Sequence, residues 1–356
     1  GDPQTVLRVA RGLVLPILAL VTGLALSLTE RRQAFAASAG VIAVGAAMAL
    51  LEWVLPIEFL TQTLQVGEYW RAVKEVPQFL IPHPIGALPG NTFVDAWNPE
   101  STRRLAGPFG DALSAGYTIA AGILMAIGSV RSPWRLAVLL LPMAAGLLLT
   151  FTRSGWIIVA LVLASLALTA PLSRWQRGAL LAGGAAAGVA MLLVGPVHDY
   201  IMRIVSGGHS STLAHLEYLD DLNEIPFSLD GSGFANAGAL AGFSTENIFA
   251  TTLLQLGIGL GLLYWVATAA LIIRARTRWQ NLAVWSAYLL AIAVSWMVSE
   301  QWLTFNAGWP MAFLLGAGVV CWGPGSPRES VRPNAQSVDL TASAARSASN
   351  PDTAES

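Results

Sequence analysis

Between Arg203 and Gly261 the chain gathers side chains suited to proton transfer and anion binding. This is the longest polar interruption in its second half. It holds His209 and His215, a cluster of acids, a glycine-rich bend, and Glu246-Asn247 where an apolar run begins. His215 is a candidate proton acceptor, because imidazole titrates near neutrality; as a loop histidine it can equally be merely solvated. Glu246 has two readings. In one, Ser244 caps a helix that follows, and an acid in the first turn complements the helix dipole. In the other, Glu246 is a general base or acceptor-binding carboxylate at the mouth of a cavity, where partial desolvation raises its pKa. Asn247 beside it is suited to hydrogen-bonding a sugar hydroxyl.

Anion-binding chemistry comes from arginines in other segments. Arg153 stands in LLLTFTRSGWIIVAL with almost no polar flank. A lone guanidinium beside apolar runs costs a few kcal/mol unless it snorkels or pairs. It is either a snorkelling residue at a tight turn or an anion clamp that grips phosphate bidentately. Arg203 opens the polar stretch, and Arg103 and Arg104 precede LAGPFGD. Positive charge from several segments suits a lipid-linked pyrophosphate, and also ordinary anionic headgroups. The bend LDGSGF (Leu229–Phe234) is glycine-permitted, but too short and wrongly placed for a phosphate loop. HExxH, GxSxG and CxxC do not occur. Asp220-Asp221 is a faint echo of a metal pair and reads better as a solvated helix face, so no metal and no cofactor is expected. His83, flanked by prolines, reads as a surface-loop residue.

The elements that must position these residues are set by composition. The chain has 356 residues, 54% hydrophobic and 12% charged, with a mean hydropathy of +0.59. Soluble domains carry about 25% charged residues. The apolar runs are continuous rather than alternating, so the fold class is all-α: a polytopic transmembrane helical bundle. Cys321 is the single cysteine, which excludes an internal disulfide, and the net charge of −1 argues against nucleic acid. Runs of roughly 20 apolar residues give about nine spans. They are Gly12–Leu28, Ala36–Ile57, Gly107–Gly128, Leu136–Thr152, Gly155–Pro171, Ala179–Gly195, Asn247–Ile273, Leu282–Ser299 and Leu303–Cys321. Arg31-Arg32, Arg131 with Arg135, Arg174 with Arg177, and Arg274-Arg276-Arg278 fall in every second connection. The positive-inside rule places all four in the cytoplasm. The long loops at about 58–106 and 196–246, and the tight turn at Phe151–Ser154, then lie outside. In the first loop QTLQVGEYWRAV is expected to form a short interfacial helix, followed by a proline-broken irregular stretch. In the second, STLAHLEYLDDLNEIP spaces its leucines helically. The chain divides into a transmembrane catalytic domain, 1–322, and a disordered cytoplasmic tail, 323–356. The same parity puts the start outside, so preceding helices are expected to be missing.

The order of these segments resembles a known family. RLAGPFGDALSAGY leads into a span, TFTRSGW ends a helix, a large loop carries SSTLAHLEYL and IPFSLDGSGFANAG, and ENIFATTLLQLGIGLG opens the next span. From Arg103 to Ile273 the chain is similar to the O-antigen ligase and polysaccharide polymerase superfamily of bacterial membrane proteins. That family implies twelve helices with a large periplasmic loop before the last three. Three absent N-terminal helices would then give the external start that the arginine count demands.

The resemblance implies a metal-independent, inverting glycosyltransferase of the bacterial inner membrane with its active loop at the periplasmic face. Its partners would be an undecaprenyl-diphosphate-linked glycan, a lipid or glycan acceptor, and membrane lipids. Carried over by position, Arg153 and Arg203 contact the diphosphate, while His215 and Glu246 are the catalytic acceptor-side residues. Arg104, Asn247 and His209 complete the substrate-binding set. Many members carry His-Asn where this chain has Glu246-Asn247. That departure leaves ligase and repeat-unit polymerase both open, with a lipid-linked glycan transporter as the rival class.

Overall fold

In lipid a backbone must satisfy its own N–H and C=O groups, so continuous apolar runs become helices. The computed structural model describes residues 3–72, 80–94, 100–170, 195–205, 247–298 and 305–318, with positions 174, 177, 178, 182, 184, 188, 189, 193, 228, 229 and 231 between them. Helices α1 (Pro3–Ala25) and α2 (Leu28–Val54) come first. The first long connection holds a π-helical turn (Phe59–Thr63), the short α3 (Val66–Ala72), and a ribbon of β1 (Leu80–Ile81) and β2 (Leu88–Pro89), antiparallel with Leu80 opposite Pro89. Then follow α4 (Ala112–Ser129), α5 (Pro133–Leu149), α6 (Arg153–Thr169), α7 (Gly195–Val205), α8 (Ile248–Ala275), α9 (Leu282–Val298) and α10 (Phe305–Ala317).

The all-α class is as expected, apart from the ribbon inside the stretch that its prolines marked as irregular. Three helical segments are long and apolar enough to cross a membrane, Leu28–Val54, Ala112–Ser129 and Ile248–Arg278, and five shorter ones are also apolar. They associate the chain with a membrane. These eight helices coincide with eight of the nine expected spans; Ala179–Gly195 lies largely outside the described residues, as does the tail.

Helix α4 is the axis of the bundle. Nearly every position from Ala112 to Ala126 is buried, as an all-round apolar helix requires. It packs on α2, α5, α6 and α10, while α1 packs on α10 and α6 on α9. Its start is fixed by Asp111, whose carboxylate accepts from the Ser114 N–H at 2.8 Å and the Ser114 hydroxyl at 2.7 Å.

Two ends of the bundle are distinct in chemistry. At one, Arg31 donates to the Ala317 carbonyl and Arg278 to the Leu24 carbonyl. The ends of α1, α8 and α10 thus meet the start of α2. Two of the arginine-bearing connections that the charge pattern grouped together therefore share this end. At the other end, Arg103 donates to the carbonyls of Leu55 at 2.8 Å and Glu52 at 2.9 Å, closing the C-terminus of α2.

Helix α8 departs from the single span expected over Asn247–Ile273. Gly257 has φ 77° and ψ 166°, non-helical values that break it into arms 248–256 and 258–275. Phe249 and Trp265 would stand about 24 Å apart in a straight helix, yet their ring centroids are 4.5 Å apart. A Cβ on Gly261 would lie 3.2 Å from the Leu253 Cα. The arms therefore fold back on each other as a hairpin. Gly231, with φ +71°, packs its backbone against this tip, and the Ser228 carbonyl accepts the Ile258 N–H at 3.1 Å. Of the bend expected in LDGSGF, Gly231 thus packs on the break in α8.

Candidate functional site

The turn between α5 and α6 is where the segments converge. A helix C-terminus leaves its last carbonyls without intrahelical donors, and in an apolar setting each unsatisfied one is costly. Here every carbonyl from Gly146 to Thr152 has a donor. The Thr150 N–H serves Gly146, and the Phe151 N–H serves Leu148. Leu147 accepts from the Trp156 indole at 2.8 Å and the Thr150 hydroxyl at 2.7 Å. Leu149 accepts the Leu105 N–H at 2.8 Å. The next two carbonyls are taken by side chains: Thr150 accepts Arg104 Nε at 2.8 Å, and Phe151 accepts the Tyr200 hydroxyl at 3.0 Å. The Trp156 N–H on the Thr152 carbonyl begins the ladder of α6. Phe151 itself has φ +52°, a left-handed conformation that costs a non-glycine residue about 1–2 kcal/mol.

Three other segments are tied to this turn. The Thr152 hydroxyl donates to the Ala112 carbonyl at 2.9 Å and accepts from Arg104 Nη2 at 3.3 Å. It is therefore not spent on capping α6, and the N-cap position makes no side-chain cap bond among the described residues. A Cβ on Gly116 would overlap Thr152, so α4 needs glycine there to let α6 approach. The end of the first long connection is held by an Arg104 N–H bond to the Thr92 carbonyl at 2.7 Å and a Val94 N–H bond to the Thr102 carbonyl at 2.8 Å. Phe151, Val197 and Tyr200 form a separate apolar cluster with Val94, Trp156 and Ile201 around it.

This convergence brings Arg104 and Arg153 within electrostatic reach of each other, with Tyr200 and Asp111 beside them. Burial pushes the Arg104 pKa down, the Tyr200 and Asp111 charges oppose that, and Arg153 reinforces it. Burial pushes the Tyr200 phenol up, against the pull of both guanidinium groups. Asp111 is committed to the α4 cap. Arg153 occupies the first position of α6, where the helix dipole disfavours a cation and favours an anion. Arg104 sits past the end of α5, where a cation is favoured.

Of the residues expected at a site, Arg104 and Arg153 are together. Arg203 lies on α7, three positions beyond Tyr200, with its side chain outside the described residues. Glu246, His215 and His209 lie outside them as well, as do Asp220 and Asp221. Asn247 is the N-cap of α8: its Oδ1 accepts the N–H groups of Phe249 at 2.9 Å and Ala250 at 3.1 Å. The cap expected from Ser244 is thus a correction, made because the helix begins at Ile248. Arg103, adjacent to Arg104, faces away to the end of α2, where it also pairs with Glu52 at 3.5 Å.

Sequence reasoning missed Tyr200 and Thr152. The signal for Tyr200 was present in GPVHDYIMRIV, where Val197, Tyr200 and Ile201 recur at helical spacing. It was submerged by treating 196–246 as one loop.

The arrangement sets two guanidinium groups within electrostatic reach of each other near the start of α6. Among the described residues no group of three or more His, Cys, Asp or Glu side chains is placed to hold a metal ion. Comparison of the chain with protein-family models, with curated proteins and with solved structures returned no match.

Proposed function

We propose that the chain is a polytopic glycosyltransferase of the bacterial inner membrane, in the manner of the O-antigen ligases it resembles. It would move a glycan from undecaprenyl diphosphate to an acceptor hydroxyl at the periplasmic face. The carrying observation is the Arg104–Arg153 pair at a helix start whose N-cap makes no side-chain cap bond among the described residues. Two cations converge there from segments 49 positions apart, and the helix dipole sets the same spot for an anion. In the proposed reaction the acceptor oxygen attacks the anomeric carbon and the bond from that carbon to the diphosphate oxygen breaks. The diphosphate leaves with the electron pair, and the acceptor proton passes to Glu246 or His215. Charge grows on the leaving group as the bond breaks, and fixed cations aimed there lower the barrier. Nine membrane spans and an external second loop belong to this reading.

Glycan analysis of a null strain carrying wild type, Arg153→Ala or Glu246→Gln tests it. Loss of linkage with normal membrane insertion in Arg153→Ala supports transfer; normal glycans in that variant sink it. Polymer left unattached on its lipid carrier identifies a ligase, and single repeats only identify a polymerase.

A second reading, a lipid-linked glycan transporter, is favoured by the break in α8, since discontinuous helices are common at transporter sites. Accumulation of precursor on the cytoplasmic side of the null strain would select it.

A further inference from the structure

We infer that Tyr200 is the positioning residue of the arginine pair, acting through the backbone of Phe151. The inference rests on the proposed anion site and extends it to a residue on α7.

The Phe151 carbonyl lies outside the ladders of both α5 and α6, because the first bond of α6 runs from the Trp156 N–H to the Thr152 carbonyl. Its donor among the described residues is the Tyr200 hydroxyl at 3.0 Å. The peptide it belongs to is in the left-handed region, with φ +52°. A strained conformation of this kind persists where the surroundings over-determine it. Arg104 fixes the carbonyl just before it, and the Thr152 hydroxyl bond to Ala112 fixes the residue just after. Tyr200 closes the gap between these two clamps. Its ring adds edge-on contacts with Phe151 at 5.4 Å and Trp156 at 6.0 Å. Arg153 is two positions beyond the held carbonyl, so the direction of its side chain follows from that peptide plane. Without the hydroxyl the left-handed residue keeps only the clamps on either side of it, and the peptide that leads into Arg153 is held less tightly. The phenol touches no reacting atom in this account.

The test uses the full chain in lipid nanodiscs with undecaprenyl diphosphate as the probe. Tyr200→Phe keeps both ring contacts and removes only the donor. Loss of one hydrogen bond corresponds to about a five- to tenfold weaker affinity. The same loss is expected to disappear in an Arg153→Ala background, because the two residues act in series. A merely structural role would not give that non-additivity. Introducing 4-aminophenylalanine at position 200, which restores an N–H donor on the same ring, is expected to return wild-type affinity; it also serves if Tyr200→Phe fails to accumulate. Wild-type binding by Tyr200→Phe alongside lost binding by Arg153→Ala overturns the role of Tyr200 and leaves the anion site standing. Additive effects overturn it too. Wild-type binding by Arg153→Ala overturns the anion site and this inference with it.

Discussion

Arg104 and Thr152 come from connections on opposite sides of α4 and α5, and the guanidinium Nη2 of the first lies 3.3 Å from the hydroxyl of the second. The same guanidinium holds the Thr150 carbonyl through Nε at 2.8 Å. One planar group therefore spans a turn that a point charge cannot. Arg104→Lys keeps the cation but cannot reproduce this fork. We expect a loss of about 1–3 kcal/mol of stability, from one to two unmade bonds, with transfer strongly reduced. Thermal unfolding and glycan gels on the same variant check it; a Lys variant with wild-type stability would show that the fork does not hold the turn.

Arg103 provides the matched contrast. Its donors close the end of α2 and pair with Glu52. Arg103→Ala removes the side-chain donor of the Leu55 carbonyl and the cation beside the partly buried Glu52 carboxylate, which keeps the Gly107 N–H, while the Glu52 carbonyl keeps the Leu55 N–H. We expect destabilisation of about 2–4 kcal/mol, with affinity for undecaprenyl diphosphate unchanged in the folded fraction. Neighbouring arginines thus separate into one that closes the end of α2 and one that holds the α5–α6 turn.

Gly116→Ala is expected to harm function from inside the helical bundle. The added Cβ overlaps Thr152, and the first turn of α6 must move to accommodate it. Overpacking of this size costs about 1–3 kcal/mol. Insertion and expression should persist while transfer falls at least tenfold in membranes assayed with lipid-linked donor. Unchanged transfer would mean that the position of Thr152 is not critical.

Asn247→Ala should cost about 1 kcal/mol through loss of the α8 cap, and Asn247→Asp should retain it. If transfer tracks stability across Ala, Asp and Ser variants, Asn247 serves as a cap. Lost transfer at full stability in Asn247→Asp would instead assign the carboxamide to an acceptor hydroxyl.

Gly257→Ala should be the most damaging of the glycine changes. Its φ of 77° and ψ of 166° lie in a region that only glycine occupies readily. We expect the hairpin to open and the protein to lose accumulation in membranes; a stable Gly257→Ala protein with normal activity would contradict the fold-back of α8.

Much of this was legible from residue order. Apolar runs located the helices because burial and lipid impose the same composition on every turn. Arg153 was visible because a lone cation inside LLLTFTRSGWIIVAL must either snorkel or pair, and both readings put it at the end of a helix. Arg104 was visible for its nearness to the next span, although nothing in RR told which of the pair faced the turn. That choice depends on where the end of α2 lies, a tertiary fact. The hairpin in α8 was hidden because hydropathy averages over side chains and is blind to one backbone dihedral. Tyr200 was hidden because a short amphipathic helix inside a long connection presents too few periods to stand out.

The fold-back of α8 changes where a helix start finds its hydrogen bonds. Its first arm, residues 248–256, runs back from the tip for about 13 Å at 1.5 Å per residue, which brings Phe249, two positions past the Asn247 cap, against Trp265 of the second arm. Polar backbone at such depth is tolerated where protein buries it or water reaches it. There the Asn247 carboxamide supplies an internal acceptor for two of the N–H groups that the start of the arm leaves open.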